Sequence, residues 1–187
     1  MADTVQQQYD DLPEWNLARI HTSDPMSALY APSSETGVLL CHGCREASRC
    51  RMGLNRETLG EDGIVVSEIV CGRHEEGGPN VAHGGWTAGI LDELVGHVPL
   101  LRHEFAVTGR LSIVFHKPMP VEVPLEGKAW IDKQEGRKVF VSAEIRLKRS
   151  EALLASAEAV LVRRPADHFA RHERWLAEQE GVDRGVE

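Results

Sequence analysis

The sequence predicts an α+β domain in which an antiparallel sheet wraps around one buried central helix, with an N-terminal arm and a C-terminal helix outside it. The first observation is a run that is apolar around most of a helical circumference. Trp86, Ile90 and Leu94 form one stripe, Leu91, Val95 and Val98 the next, and small Thr87, Ala88 and Gly89 lie between them. A helix of that kind is buried rather than laid on a surface. The second is a set of strand-like stretches downstream that alternate with a period of two. The third is the placement of proline and glycine between those stretches, where a ladder cannot continue.

Residues 1–37 read as a polar arm containing Pro13, Pro25 and Pro32. Trp15, Leu17 and Ile20 would form a short amphipathic helix over the core or remain in a loosely packed arm. Residues 63–71, GIVVSEIVC, are β-branched and read as the first strand. The stretch from Gly77 to Gly96 follows and turns helical near Gly84. Phe105, Val107, Gly109, Leu111, Ile113 and Phe115 then alternate with more polar neighbours, giving a long strand with one apolar face that Pro118, Pro120 and Pro124 end.

Leu125, Gly127, Ala129 and Ile131 mark the next strand. Gly136 turns the chain into Val139, Val141, Ala143, Ile145 and Leu147, which reads as a hairpin. Residues 153–162 make a last strand, Pro165 closes the domain, and DHFARHERWLAEQE reads as a helix with Phe169, Trp175 and Leu176 facing inward.

At 187 residues the chain is long enough for one domain with a substantial core, and 42% hydrophobic with 27% charged residues is the composition of a soluble globular protein. A formal net charge of −8 argues against a general nucleic-acid or anionic-membrane surface, but a local basic cluster could still hold phosphates. No apolar run approaches the roughly 18 residues of a membrane span, and the start lacks a basic n-region with an apolar core, so a cytoplasmic protein is expected. Cys41, Cys44, Cys50 and Cys71 are then expected as reduced thiols. A zinc site is conceivable from Cys41 and Cys44, but no matched second C-x-x-C accompanies them, and no metal is assigned.

The chemistry concentrates at the helix. If it begins near Gly84, its first amides lack internal partners and its dipole favours an oxyanion there. Asp92, seven residues beyond Gly85, is the candidate general base or nucleophile, with Glu93 beside it as the secondary carboxylate. Seven helical steps place those two groups roughly 10 Å apart along the axis, too far for both to serve one reacting centre. Two antiparallel copies of the helix would solve this, each giving its glycine end to one site and its Asp to the other.

His83, Gly84, Gly85 and, after six intervening residues, Asp92 resemble the central-helix signature of hotdog-fold acyl-CoA thioesterases of the 4-hydroxybenzoyl-CoA and phenylacetate-pathway type. GGPNVAHGG resembles that family's G-x-P-G-x-x-H-G-G, with Asn80 where Gly is usual, Asn being the side chain that best tolerates a left-handed backbone. Cys41, Gly43, Cys44, Gly53 and Leu54 stand where some members carry C-x-G-C and G-L, with a longer spacer and no Asn-Pro between them.

The resemblance covers residues 38–169 and implies a hotdog domain there, with 170–187 as helix and tail. It implies an acyl-CoA thioesterase acting as a homodimer or dimer of dimers, with CoA as part of the substrate and no separate cofactor. Asp92 would be base or nucleophile, the Gly84 or Gly85 N–H would polarise the thioester carbonyl, and His83 would orient substrate or cap the loop. Thr108 would place the attacking water, although strict alternation turns it away from the face of Leu111 unless a bulge near Gly109 or an edge position intervenes. Lys117, Arg137 and Lys138 would meet the CoA phosphates, and Asn80 and Trp86 would border the substrate. The alternative is a hotdog dimer that binds acyl-CoA or a related lipid without turning it over.

Overall fold

The computed structural model describes residues 30–183 except 34 and 166. Two short strands, β1 (Tyr30–Pro32) and β2 (Leu39–Cys41), pair with each other. They are followed by β3 (Leu54–Leu59), β4 (Val65–Val70) and a small hairpin of β5 (Glu76–Gly78) and β6 (Val81–Ala82). Helix α1 (Gly84–Leu100) comes next, then β7 (Ala106–Phe115), β8 (Pro124–Glu135), β9 (Lys138–Leu147), β10 (Leu153–Arg163) and helix α2 (His168–Asp183).

The main sheet is antiparallel and six-stranded, in the order β3-β4-β8-β9-β10-β7. The β8–β9 hairpin turns at Gly136, whose φ of +56° suits a residue without a Cβ. Helix α1 lies against β7, β8, β9 and β10. Ile90, Leu91, Leu94, Val95 and Val98 pack there against Leu125, Ala129, Val141, Ile145 and Leu161, all of them buried. Burying each such helix side chain contributes about 1.5–3 kcal/mol before entropy is counted.

One contact fixes where the helix sits. A Cβ added at Gly127 on β8 would come within 2.8 Å of both Leu94 Cδ1 and Ile69 Cδ1, so the glycine is a notch that receives Leu94. The central helix, the hairpin and the last strand are where the sequence places them.

Three expectations need correction. The strand read as first is β4, because β3 precedes it in the sheet; its sequence LNRETL carries Asn, Arg and Glu, which masks the strand signal. Phe169, Trp175 and Leu176 do not face inward but are exposed. α2 follows Pro165, with Phe169 against the rings of Phe105 and His168 and beside Tyr30 and Cys41, and Trp175 stacking on His172 of its own helix.

The apolar face expected for β7 is also less covered than alternation implies. Of that face, Phe115 is 58% exposed and Val107, Leu111 and Ile113 are only half-buried, and among the described residues β7 is an edge strand with a neighbour on one side. The expected helix at Trp15, Leu17 and Ile20 lies outside the described residues.

Candidate active site

The start of α1 is held by the loop before it. The His83 N–H donates to the Glu75 carbonyl at 2.7 Å and the Ala82 N–H to the Met119 carbonyl at 2.8 Å. Gly77 permits close passage, since a Cβ there would stand 2.7 Å from His83 Cα. Asn80 takes the left-handed conformation expected of it, with φ +59°, and its N–H donates to Glu76 Oε1 at 2.9 Å.

His83 is the N-cap: its Nδ1 accepts from the Gly85 N–H at 2.9 Å, and its carbonyl accepts from Thr87. This distinguishes the two glycines. The Gly85 N–H is taken by the cap, whereas no described residue accepts from the Gly84 N–H at the positive end of the helix. Gly84 opens on a cleft of about 270 Å³ that it shares with Thr87, Phe115, Lys117 and Met119.

Asp92, two turns further along, is exposed rather than buried among its leucine neighbours. It lines a second cleft, of about 300 Å³, with Glu93, Tyr30, His97 and Thr108. Thr108 reaches this cleft through a bulge. Val160 of β10 pairs with Arg110 and Leu161 with Thr108, so Gly109 is the unpaired extra residue that reverses the alternation.

Behind the acidic cleft lies a charged cluster that sequence reasoning did not find. His97 is 1% exposed and Glu57 5%. The two Glu57 carboxylate oxygens lie 2.8 and 3.0 Å from His97 Nδ1, and Glu57 also accepts from Ser67 Oγ at 3.1 Å and from the Leu39 N–H at 3.4 Å. On the other side, His97 Nε2 is 3.0 Å from Glu93 Oε2, an ion-pair distance without the alignment of a hydrogen bond. Burial works to lower the His97 pKa, but the Glu57 charge and hydrogen bond, followed by Glu93, outweigh it and raise it to about 10. Burial likewise works to raise Glu93, and the contact with His97, reinforced by the Arg51 charge, brings it below the usual carboxylate value. The spacing of Glu93 and His97, one helical turn apart, was a visible signal. Glu57, on a strand that reads as polar, was not.

The remaining predicted residues are dispersed. Lys117 stands in the Gly84 cleft, whereas Arg137 and Lys138 occupy the exposed tip of the β8–β9 hairpin and border neither cleft. Trp86 is buried in the core on the inner side of α1. Burial raises the thiols of Cys50 and Cys71 to about 11. Among the described residues no three His, Cys, Asp or Glu side chains converge in a way that would hold a metal ion.

Residues 79–153 match the family model described as Thioesterase superfamily. The chain is 33% identical over 99 residues to the acyl-coenzyme A thioesterase THEM4 of Mus musculus, covering 53% of this chain and 43% of that one. It is 28% identical over 161 residues to the acyl-coenzyme A thioesterase THEM5 of Homo sapiens, covering 81% and 62%. The alignment to the mouse relative thus spans less than half of that protein's length. A crystal structure of a thioesterase superfamily protein, 20% identical, superposes with a TM-score of 0.58 over 86% of this chain and 78% of the other. The chain is thus similar to the thioesterase superfamily over residues 79–153, and its fold, an antiparallel sheet packed on one central helix, is that of the solved thioesterase superfamily structure it superposes on.

Proposed function

We propose that the protein hydrolyses an acyl-CoA thioester to the free acid and CoA at a site shared between two antiparallel copies of the chain. The observation that carries this reading is the pair of clefts at opposite ends of α1. One offers the Gly84 N–H and Lys117, the other Asp92 and Thr108, and each cleft by itself lacks what the other supplies. The edge strand β7 connects them, with Thr108 near one end and Phe115 near the other. Pairing β7 with a second β7 in antiparallel register brings the Asp92 cleft of each copy to the Gly84 cleft of its mate. The unpaired edge and the exposed Val114 and Phe115 suit that contact.

In this arrangement the Gly84 N–H and the helix dipole stabilise the oxyanion, with His83 holding Gly85 so that the turn keeps its shape. Asp92 acts as general base on a water held with Thr108, or attacks the thioester carbonyl itself, expelling CoA thiolate and leaving an acyl-aspartyl anhydride that water then hydrolyses to the free acid and Asp92. In the first route the water oxygen bonds to the carbonyl carbon, its proton goes to Asp92, and collapse of the oxyanion expels the CoA thiolate, which takes up that proton. Lys117 lies where an anionic part of the substrate passes the glycine end, and Arg137 and Lys138 are further candidates for the phosphates.

The test is thiol release from acetyl-, octanoyl-, palmitoyl- and benzoyl-CoA by the wild type, Asp92→Asn and Thr108→Ala, with oligomeric state measured by sedimentation. Loss of about 10²–10⁴-fold in kcat for Asp92→Asn is expected of a missing general base. Tight acyl-CoA binding without turnover by the wild type would establish the binding module instead.

A further inference from the structure

The buried pair of Glu57 and His97 has no part in the reaction as described, and stability alone is a weak account of it, because apolar residues of similar volume often serve as well or better. Its position suggests its use. Glu57 is fixed from two directions by Ser67 Oγ and the Leu39 N–H, and both its oxygens lie against His97 Nδ1. The far edge of the same imidazole, one helical turn from Glu93, stands 3.0 Å from the Glu93 carboxylate.

Glu93 and Asp92 are adjacent carboxylates about 100° apart around α1, and both line the cleft that holds Thr108. A second, unrestrained carboxylate there would compete for the water, repel its neighbour and deflect an anionic substrate. The other groups acting on Glu93 or acted on by it are Arg51, Tyr30, Cys41 and Cys50, of which only Arg51 is a cation.

We propose that His97 and Glu57 are positioning residues whose buried pair clamps the Glu93 carboxylate to the inner wall of the cleft, leaving Asp92 as the carboxylate that meets the thioester. This rests on hydrolysis at Asp92 as proposed above. The clamp is a device of this cleft rather than of the glycine end, and its loss should impair turnover more than binding.

The experiment compares full-length wild type with Glu57→Gln/His97→Asn, which keeps a neutral hydrogen-bonding pair in the core but frees Glu93, and with the triple variant that adds Glu93→Gln. Kinetics use whichever of the four acyl-CoAs the wild type turns over fastest, with melting curves and sedimentation as controls on folding and assembly. The double variant should lose about 10-fold or more in kcat with KM within about 3-fold, and the triple variant should recover to within about 3-fold of wild type. A purely structural role predicts no such rescue. A triple variant no better than the double, or a double variant as active as wild type, overturns the clamp.

Carboxyl ¹³C NMR of Glu93 and ring ¹⁵N NMR of His97 provide a readout that needs no turnover. In the wild type at pH 8 the His97 ring should carry both protons and Glu93 should titrate below an ordinary glutamate. A neutral ring or an ordinary Glu93 titration in the wild type would overturn the proposal even if the variants failed to fold. A wild type that passes this NMR test yet hydrolyses none of the four thioesters would count against the hydrolase reading and not against the clamp.

Discussion

Replacing Glu57 by Gln removes a single charge while nearly preserving volume, so its effect isolates the pairing with His97. In the wild type the His97 pKa is raised from 6.5 to about 10, with burial opposed and outweighed by Glu57 and then Glu93. A histidine whose folded pKa lies above its unfolded one contributes stability that is fully present below the unfolded value and is lost as pH rises through the folded one. The window therefore runs from pH 6.5 to about 10. If Glu57→Gln returns His97 to its ordinary value, the variant loses the part of that window still ahead. At about 1.4 kcal/mol per pH unit this amounts to roughly 4 kcal/mol at pH 7 and roughly 1.4 kcal/mol at pH 9.

The pH 7 figure falls within the range for breaking a buried ion pair, about 3–5 kcal/mol. For a chain of this length it corresponds to a fall in Tm of about 8–16 °C. Urea unfolding of both proteins at pH 7, 8 and 9 provides the assay, since groups that titrate alike in the two proteins cancel in the difference. A deficit below about 1 kcal/mol at pH 7, or one that does not shrink toward pH 9, would refute the assignment of a charged His97 to the core.

Three further perturbations follow from single contacts. Gly85→Ala sets a Cβ 2.9 Å from His83 Nδ1, so it should disturb the cap, cost about 1 kcal/mol in urea unfolding and lower kcat/KM; unchanged values of both would argue that the cap is dispensable. Gly127→Val fills the notch beneath Leu94 and should destabilise by about 1–3 kcal/mol, read from the shift of the denaturation midpoint. Cys50 and Cys71, raised to about 11 by burial, should be alkylated slowly by iodoacetamide at pH 8 and quickly after unfolding; mass spectrometry showing rapid labelling of either in the native protein would contradict their burial.

The central helix was legible because six of its large apolar side chains fill two adjacent stripes over about half its circumference, with small Thr87, Ala88 and Gly89 between them, a pattern that suits a buried helix. The hairpin at Gly136 was legible for the same kind of reason, with alternation on both sides of a residue free to turn. β3 was not, because its one deeply buried polar side chain, Glu57, belongs in the core only when His97 comes from 40 residues away to meet it. Thr108 shows the limit of counting by twos. Its placement depends on a bulge that Gly109 only hints at, since the pairing with β10 decides that the extra residue sits there. The outward turn of α2 escaped notice because Phe169, Trp175 and Leu176 have the spacing of an inward face, while spacing alone does not say whether a sheet lies beneath them.

The notch at Gly127 also works as a positional index. Leu94 seats in it two residues after Asp92, so the sheet sets the helix's translation along its own axis at a point close to the acid. A slip of one turn would carry Asp92 about 5.4 Å from Thr108 while leaving an apolar helix against an apolar sheet. General hydrophobic packing would tolerate such a slip, and the notch does not. The position of both ends of α1 against the sheet, and with it the match of the two clefts in the proposed pairing of chains, is therefore ruled by one missing side chain on β8. Sequences that vary at this position should be expected to move the acid and the glycine end together, shifting the whole helix rather than either group alone.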